Sequence, residues 1–204
     1  MTAVNTGRDI LDIDYKKINK VLNNDGVIAF VTDTVWGLGC LPFREKAVKK
    51  IYEIKNREAK KPLILMSYDI CPLIEYVKQP IKKEAQIIIK KYFPGAVTLI
   101  LEKSINTPDY ITSEMPTVGI RVPDNQVFSN ICKNIDGMVL ATTSANISGE
   151  PPALNYEEAL KYIGEKADLI IPDYGYSAKG RASTVAGFTD NDIKIFRQGD
   201  VILE

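Results

Sequence analysis

Two apolar runs of this chain stop abruptly at loops that are rich in hydroxyl groups. Residues 27–31 read VIAFV and run into TDTVWGLGC at 32–40, while GMVLA at 137–141 runs into TTSANISGEPP at 142–152. A short continuous apolar run is typical of a strand that is buried on both faces. In open α/β sheets, ligands bind where such strands end in loops. Both loops are therefore candidates for a binding site at a sheet edge.

Apolar residues at helical spacing predict helices around these strands. The predicted helices cover residues 14–24, 44–54, 70–77, 82–92, 125–135 and 155–163. Further strands are predicted over residues 62–66, 97–101, 117–123, 169–171, 182–186 and 193–199. Two remaining long segments are predicted to be loops: 104–116 because it is polar and shows no clear period, and 173–181 because it is rich in glycine and tyrosine.

The composition excludes several kinds of catalyst. The chain has no histidine, which rules out histidine acid–base catalysis, Ser-His-Asp triads and histidine-ligated metals. Three cysteines, far apart and without a CxxC pair, indicate neither a disulfide framework nor a structural zinc site. With 26 basic and 26 acidic residues, the chain has no net charge that would attract nucleic acid as a whole.

The length and the chain ends predict one domain and a cytoplasmic location. A length of 204 residues fits a single catalytic domain over 1–204. The first 14 residues are polar and lack the hydrophobic region of a signal peptide. Because no apolar run approaches the length of a membrane span, we expect no membrane partner.

The helix predicted over 44–54 is followed at once by two cations, Lys55 and Arg57. Residues two apart do not share a helix face, so the backbone must leave the helix there if they act together. Arginine offers a bidentate fork and lysine a compact charge, a pair that suits a polyphosphate. The alternative is a solvated basic helix end, which complements the helix dipole.

Other candidate residues also have two interpretations. Arg121 ends a strand and is either a clamp for a carboxylate or phosphate, or a surface or salt-bridged residue of little energetic weight. Gly37 and Gly39 permit a positive φ or a close approach of ligand to backbone, or belong to a plain turn anchored by Trp36. The loop at 142–152 could cradle phosphate oxygens. An isolated serine nucleophile with a lysine base is the alternative there.

Eight short motifs, taken together and in order, resemble the YrdC-type threonylcarbamoyl-AMP synthase family. They are TDTVWGLG at 32–39, KNR at 55–57, KPL at 61–63, FPG at 93–95, GIRVP at 119–123, SANISG at 144–149, STV at 183–185 and RQG at 197–199. The resemblance extends from about residue 19 to the end of the chain.

This resemblance implies an α/β fold with an open, twisted, mostly mixed sheet, flanked by helices around a concave basic cavity. It implies an enzyme that converts L-threonine, bicarbonate and ATP into L-threonylcarbamoyladenylate and pyrophosphate, for threonylcarbamoyladenosine in tRNA. Mg²⁺ is expected with ATP and without dedicated protein ligands. The implied partners are the tRNA-modification machinery that takes the adenylate and tRNA itself.

The family signature is a Lys-x-Arg pair and a Ser-x-Asn pair. Carried over by position, it implies that the catalytic residues are Lys55, Arg57, Ser144 and Asn146. Threonine is then held by Thr32, Arg121, Thr142 and Ser183, with Arg121 on its carboxylate. ATP is served by Lys55, Arg57, Thr117, Ser144, Asn146, Pro152 and Arg197.

The chain departs from the family pattern in three respects. Trp36 stands where tyrosine or phenylalanine is usual, and Met66 stands where some relatives carry a histidine. The C-terminal domain of the longer relatives is not expected here.

Two rival functions remain open from the sequence. The lysine- and arginine-rich segment 44–61 could belong to an RNA-binding module. Alternatively, the chain could be a paralogue of the same fold that acts on a different carbamoyl or acyl adenylate, or that hydrolyses the adenylate.

Overall fold

The computed structural model describes residues 12–56, 61–189 and 192–204. Within these ranges, nine strands form one mixed sheet in the order β7-β1-β2-β6-β3-β5-β4-β8-β9. They are β1 (Ile28–Phe30), β2 (Gly37–Cys40), β3 (Ile64–Ser67), β4 (Val97–Glu102), β5 (Thr117–Arg121), β6 (Val139–Ser144), β7 (Leu169–Ile170), β8 (Thr184–Thr189) and β9 (Asp192–Arg197). Parallel pairs join β1 to β7, β3 to β5 and β4 to β8, and the other neighbours are antiparallel. The predicted mixed α/β fold is confirmed.

The described α-helices are α1 (Tyr15–Asn23), α2 (Glu45–Ile54), α3 (Cys71–Ile74), α4 (Lys83–Tyr92), α5 (Asp109–Thr112), α6 (Gln126–Lys133) and α7 (Tyr156–Ile163), and a short 3₁₀ helix covers Asp136–Met138. Three of them begin after a residue whose side chain accepts a hydrogen bond from a backbone N–H of the first turn: Asp14, Asn125 and Asn155. None of the described helices combines the length and apolar character needed to cross a bilayer.

Three polar segments predicted as loops contain regular structure. β2 covers 37–40, and β6 continues through Thr142 and Thr143 to Ser144. These residues pair with each other, Gly37 opposite Ser144 and Gly39 opposite Thr142. β6 lies between β2 and β3, so pairing on both sides satisfies its backbone and outweighs the polarity of its side chains. The segment 104–116 contains the short helix α5.

Gly37 and Gly39 make room for the ring of Phe30. Neither has a positive φ. A Cβ added to Gly37 would lie 2.7 Å from the Phe30 ring, and one added to Gly39 would lie 2.9 Å from it. On the side where a Cβ would lie, the neighbouring group is therefore a protein side chain, and the interpretation through a positive φ was wrong. A close approach of a ligand to the backbone stays a prediction.

Candidate active site

A cavity of about 440 Å³ lies against the sheet. Seven of the nine described strands contribute lining residues, since only β1 and β7 do not reach it. Among the described lining residues there are three cations, Lys61, Arg121 and Arg197, and no carboxylate. The cavity also brings together predicted site residues from distant parts of the chain: Thr32, Arg121, Thr142, Ser144, Pro152, Ser183 and Arg197.

Arg121 is a buried cation with a buried carboxylate partner. Its side chain is 3% exposed and that of Asp33 is 7% exposed. Nε donates to the Gly95 carbonyl at 3.0 Å, Nη1 to Thr34 Oγ1 at 2.8 Å, and Nη2 to Asp33 Oδ1 at 2.5 Å. Burial lowers the pKa of Arg121, Asp33 acts in the opposite direction, and Arg197 lowers it further. The guanidinium stays charged because arginine is not deprotonated in proteins. Arg121 is therefore salt-bridged, as one of the alternatives had it, and the interpretation as a surface residue was wrong.

The hydroxyl of Thr32 is held by its own loop. Its Oγ1 donates to the Val35 carbonyl at 2.6 Å. It accepts from the Thr34 backbone N–H at 3.2 Å and lies 3.1 Å from Thr34 Oγ1. The residue therefore lines the cavity while its polar atom is engaged within 32–35, and its contact with threonine stays a prediction.

A second guanidinium reaches the cavity from the edge strand β9. Arg197 Nε donates to the Ser183 carbonyl at 3.0 Å and Nη2 to Ser183 Oγ at 3.1 Å. Ser183 Oγ in turn lies 2.8 Å from Thr98 Oγ1 on β4. Burial lowers the pKa of Arg197 as well. The cavity thus holds two arginines that are both braced by protein acceptors.

Lys55 lies just past the end of α2, where the helix was predicted to stop. It is 2% exposed, so the interpretation as a solvated basic end was wrong. Its Nζ donates to the Ser144 carbonyl at 2.6 Å, the Asn146 carbonyl at 2.9 Å and Asn146 Oδ1 at 2.8 Å. The lysine therefore joins the end of α2 to the end of β6.

The segment after β6 is further braced by its own side chains. Ser144 Oγ donates to Asn146 Oδ1 at 2.7 Å, and Asn146 Nδ2 donates to the Glu150 carbonyl at 2.6 Å. The Ser148 N–H donates to the Lys55 carbonyl at 2.9 Å. Lys55 and the Ser-x-Asn pair, which are far apart in sequence, form one hydrogen-bonded unit. Ser144 is its member on the cavity wall.

Four predicted nucleotide residues are not among the residues that line this cavity: Lys55 and Asn146, which lie behind Ser144, and Arg57 and Thr117. Arg57 lies outside the described residues. Thr117 begins β5, four residues before Arg121, and lines a separate hollow of about 250 Å³ with Lys82, Ile100 and Phe188. The roles of Arg57 and Thr117 in ATP binding stay predictions.

Four contributors to the site were not among the predicted site residues, although the hydroxyl of Thr34 was noted as available. Asp33, Thr34 and the Gly95 carbonyl hold Arg121, and Thr98 supports Ser183. The motifs TDTVWGLG and FPG contained the first three, but nothing in them shows which atom meets Arg121. Thr98 gave no signal, because it is a single hydroxyl residue within an apolar strand. In the described part of the chain, no group of three or more Cys, Asp or Glu side chains could hold a metal ion.

Comparison with known proteins gives consistent matches over most of the chain. The Sua5/YciO/YrdC family model, described as "Telomere recombination", matches residues 20–199. The threonylcarbamoyl-AMP synthase of Buchnera aphidicola is 39% identical over 153 residues, 74% of this chain and 86% of that protein. The crystal structure of P. abyssi Sua5 complexed with L-threonine matches with a TM-score of 0.83 and 31% identity, over 91% of this chain and 54% of that one. E. coli YciO matches with a TM-score of 0.81 and 25% identity, over 91% of this chain and 89% of that one.

This chain thus spans about half of the Sua5 structure and most of the Buchnera protein and of YciO. Since the family model covers nearly all of the described residues, the chain belongs to the Sua5/YciO/YrdC family.

Proposed function

We propose that this chain is a threonylcarbamoyl-AMP synthase, which joins L-threonine, bicarbonate and ATP into L-threonylcarbamoyladenylate and releases pyrophosphate. The observation that carries the proposal is that Arg121 and Arg197 share one cavity with Thr142, Ser144 and Ser183, without a carboxylate in its described lining. Such a cavity suits several anions held side by side. Relatives that match three quarters of the chain bear the name of this enzyme.

The threonine side of the reaction belongs to Arg121 in this proposal. A guanidinium presents parallel N–H donors that match the geometry of a carboxylate. Thr142 and Ser183 line the same cavity and offer hydroxyl groups to the rest of the amino acid. Thr32 supports this end of the cavity from the loop at 32–35.

The nucleotide side belongs to Arg197, Ser144 and Pro152 on the cavity wall, with Asn146 and Lys55 behind Ser144. In this arrangement Lys55 contributes by fixing the Ser-x-Asn segment, and Arg57 and Thr117 complete the predicted set. Mg²⁺ would be held by the phosphate oxygens of ATP, because the described residues offer no cluster of carboxylate ligands.

The proposed chemistry needs no covalent nucleophile from the protein. The threonine amine attacks carbon dioxide and releases a proton, or attacks bicarbonate, whose C–OH bond breaks so that hydroxide and the amine proton leave as water. Both routes give a carbamate. A carbamate oxygen then forms a bond to the α-phosphorus as the bond to the β-phosphate breaks, and pyrophosphate leaves. Positioning of three anions and neutralisation of their charge can supply most of the acceleration, so a chain without histidine can perform it.

The product is a mixed anhydride whose carbonyl is activated for transfer. We therefore propose that it is consumed by an enzyme that moves the threonylcarbamoyl group onto an amino group of tRNA, in the cytoplasm. Direct binding of tRNA to this chain is a separate part of the proposal.

The test is pyrophosphate release from ATP and bicarbonate, with threonine, with serine and with no amino acid. We expect release that requires both threonine and bicarbonate. Arg197→Ala should lower the rate on the order of 10²- to 10³-fold. Arg44→Ala, which removes an arginine outside the cavity lining, is the matched control and should stay within about twofold of wild type.

The other outcomes distinguish the rival functions. Release that is indifferent to threonine would indicate a paralogue with another substrate. No release under any condition, together with RNA binding that weakens steeply with salt, would favour the RNA-binding module.

A further inference from the structure

We infer that Asp33 and Thr34 are positioning residues, which hold the guanidinium of Arg121 in the orientation that receives the carboxylate of the amino-acid substrate. The inference rests on the proposed function, because it concerns how that function binds its amino acid. It adds two residues that belong to the loop after β1 and have no direct role in the chemistry.

The first argument is a count of donors. A guanidinium has five N–H groups, one on Nε and two on each terminal nitrogen. The Gly95 carbonyl, Thr34 Oγ1 and Asp33 Oδ1 take one each from Nε, Nη1 and Nη2. Within the described residues, one N–H on Nη1 and one on Nη2 therefore have no protein acceptor. Arg121 lines the cavity, so these two N–H groups can serve a ligand there. Two donors on two nitrogens are what a bidentate carboxylate requires.

The second argument is the direction of the hydrogen bonds behind Thr34. A hydroxyl has one proton, and that of Thr32 goes to the Val35 carbonyl, which can only accept. Thr32 Oγ1 must therefore accept from the Thr34 hydroxyl. Because the Thr34 hydroxyl donates its proton to Thr32, its oxygen can only accept a hydrogen bond from Arg121 Nη1. In this series of hydrogen bonds from Arg121 to Val35, each bond therefore has only one possible donor and one possible acceptor.

The same count explains the place of Thr32. Its proton goes to the Val35 carbonyl, and its oxygen accepts from both the N–H and the hydroxyl of Thr34. A hydroxyl with one proton and two acceptor positions has then no capacity left for a ligand. Thr32 acts on Arg121 through Thr34, and it need not touch threonine.

The third argument is charge balance in a buried place. Arg121 and Asp33 are both buried, so neither could remain charged alone at a modest cost. Asp33 balances Arg121 before the substrate arrives. When the substrate carboxylate joins the same guanidinium, the second positive charge comes from Arg197, which is near enough to lower the pKa of Arg121. The loop thereby offsets the cost of the buried charge and keeps the clamp oriented in both states.

The experiment compares Thr34→Val with Thr34→Ser by steady-state pyrophosphate release. Valine keeps the shape and removes the hydroxyl, while serine keeps the hydroxyl. We expect Thr34→Val to raise the KM for threonine about tenfold or more, with the KM for ATP within about twofold. Thr34→Ser should restore the KM for threonine to within about threefold of wild type. Thr107→Val, which removes an equally buried hydroxyl bond outside the cavity, should change neither KM.

Asp33→Asn is the second test, since it keeps the shape and one oxygen acceptor and removes the charge. It should produce the same selective rise in the KM for threonine, and calorimetric titration with L-threonine should show the same loss of affinity. An unchanged KM for threonine in Thr34→Val, or in Asp33→Asn if the first variant does not fold, would overturn the inference. So would an equal rise in both KM values, which is what a merely structural role produces.

The two proposals fail in different ways. Wild-type release that does not depend on threonine would overturn the proposed function. Threonine-dependent release by wild type, with an unchanged KM in these variants, would overturn only the positioning role of Asp33 and Thr34.

Discussion

Replacing Lys55 by methionine should destabilise the fold as well as the active site. The Lys55 side chain lies in a place that is 2% exposed, and its ammonium holds three acceptors at 2.6–2.9 Å. Methionine has a similar length but no donor. The carbonyls of Ser144 and Asn146 would each lose a donor, while Asn146 Oδ1 would keep its bond from Ser144 Oγ. A buried acceptor without a partner costs about 1–3 kcal/mol, so the expected loss is on the order of 3 kcal/mol.

The assay is urea unfolding, with thermal unfolding as a second probe. For a chain of this length, a loss of about 3 kcal/mol corresponds to a fall in Tm of roughly 6–12 °C. Lys49→Met is the matched control on the same helix. Lys49 pairs with Glu45 at the surface, where the two side chains are 67% and 53% exposed, so its loss should change the free energy of unfolding by less than about 0.5 kcal/mol.

One result would refute the reasoning. If Lys55→Met were as stable as Lys49→Met, Lys55 would not be joining α2 to β6. Its ammonium would then be free to meet phosphate directly, as the sequence first suggested. If the reasoning holds, pyrophosphate release should also fall at temperatures well below the Tm, because Ser144 and Asn146 lose their support.

Two further changes test the packing and the buried tyrosine. Gly37→Ala should cost about 1–3 kcal/mol, because its Cβ would lie 2.7 Å from the Phe30 ring. Phe30→Leu combined with Gly37→Ala should recover part of that cost in a double-mutant cycle of unfolding free energies, and purely additive losses would contradict the clash. Burial raises the pKa of Tyr76 to about 12, with smaller contributions from Glu75 and Tyr110. Since the unfolded tyrosine ionises near pH 10, its contribution to stability is present below pH 10 and is lost towards pH 12, at about 1.4 kcal/mol per pH unit. Tyr76→Phe should remove this part of the alkaline loss, and urea unfolding from pH 8 to 11.5 measures it. An identical pH dependence in the variant would count against burial as the cause.

Much of the fold could be predicted from local pattern. Apolar spacing located the longer helices to within a few residues at each end. Asn125 and Asn155, where two predicted helices begin, are the residues that cap them in the structure. The strands β4 and β5 were also found, because continuous or alternating apolar runs mark them. The errors came where polarity and strand structure coincide. Thr142 to Ser144 look like a loop, and only their pairing with β2 makes them part of a central strand.

The candidate site, too, could be predicted only in part from the sequence. The residue types were visible in the motifs, because bringing a carboxylate, a carbamate and a triphosphate together calls for arginines, hydroxyl groups and amides. Seven predicted residues do line one cavity. The pattern could not reveal which of them act on ligands and which act on each other.

By itself, the sequence identified the family and narrowed the classes of chemistry that the chain can perform. The absence of histidine excludes whole classes of catalyst, and eight ordered motifs across the chain identify the relatives. Only the tertiary structure decided that Lys55 is a buried link, that Asp33 and Thr34 face Arg121, and that Gly37 makes room for Phe30. The physical reason is that composition and periodicity indicate which side chains favour burial and which favour water, but not which groups they contact. Hydrogen-bond partners, 87 and 88 residues apart in the case of Arg121, are set by how the strands come together.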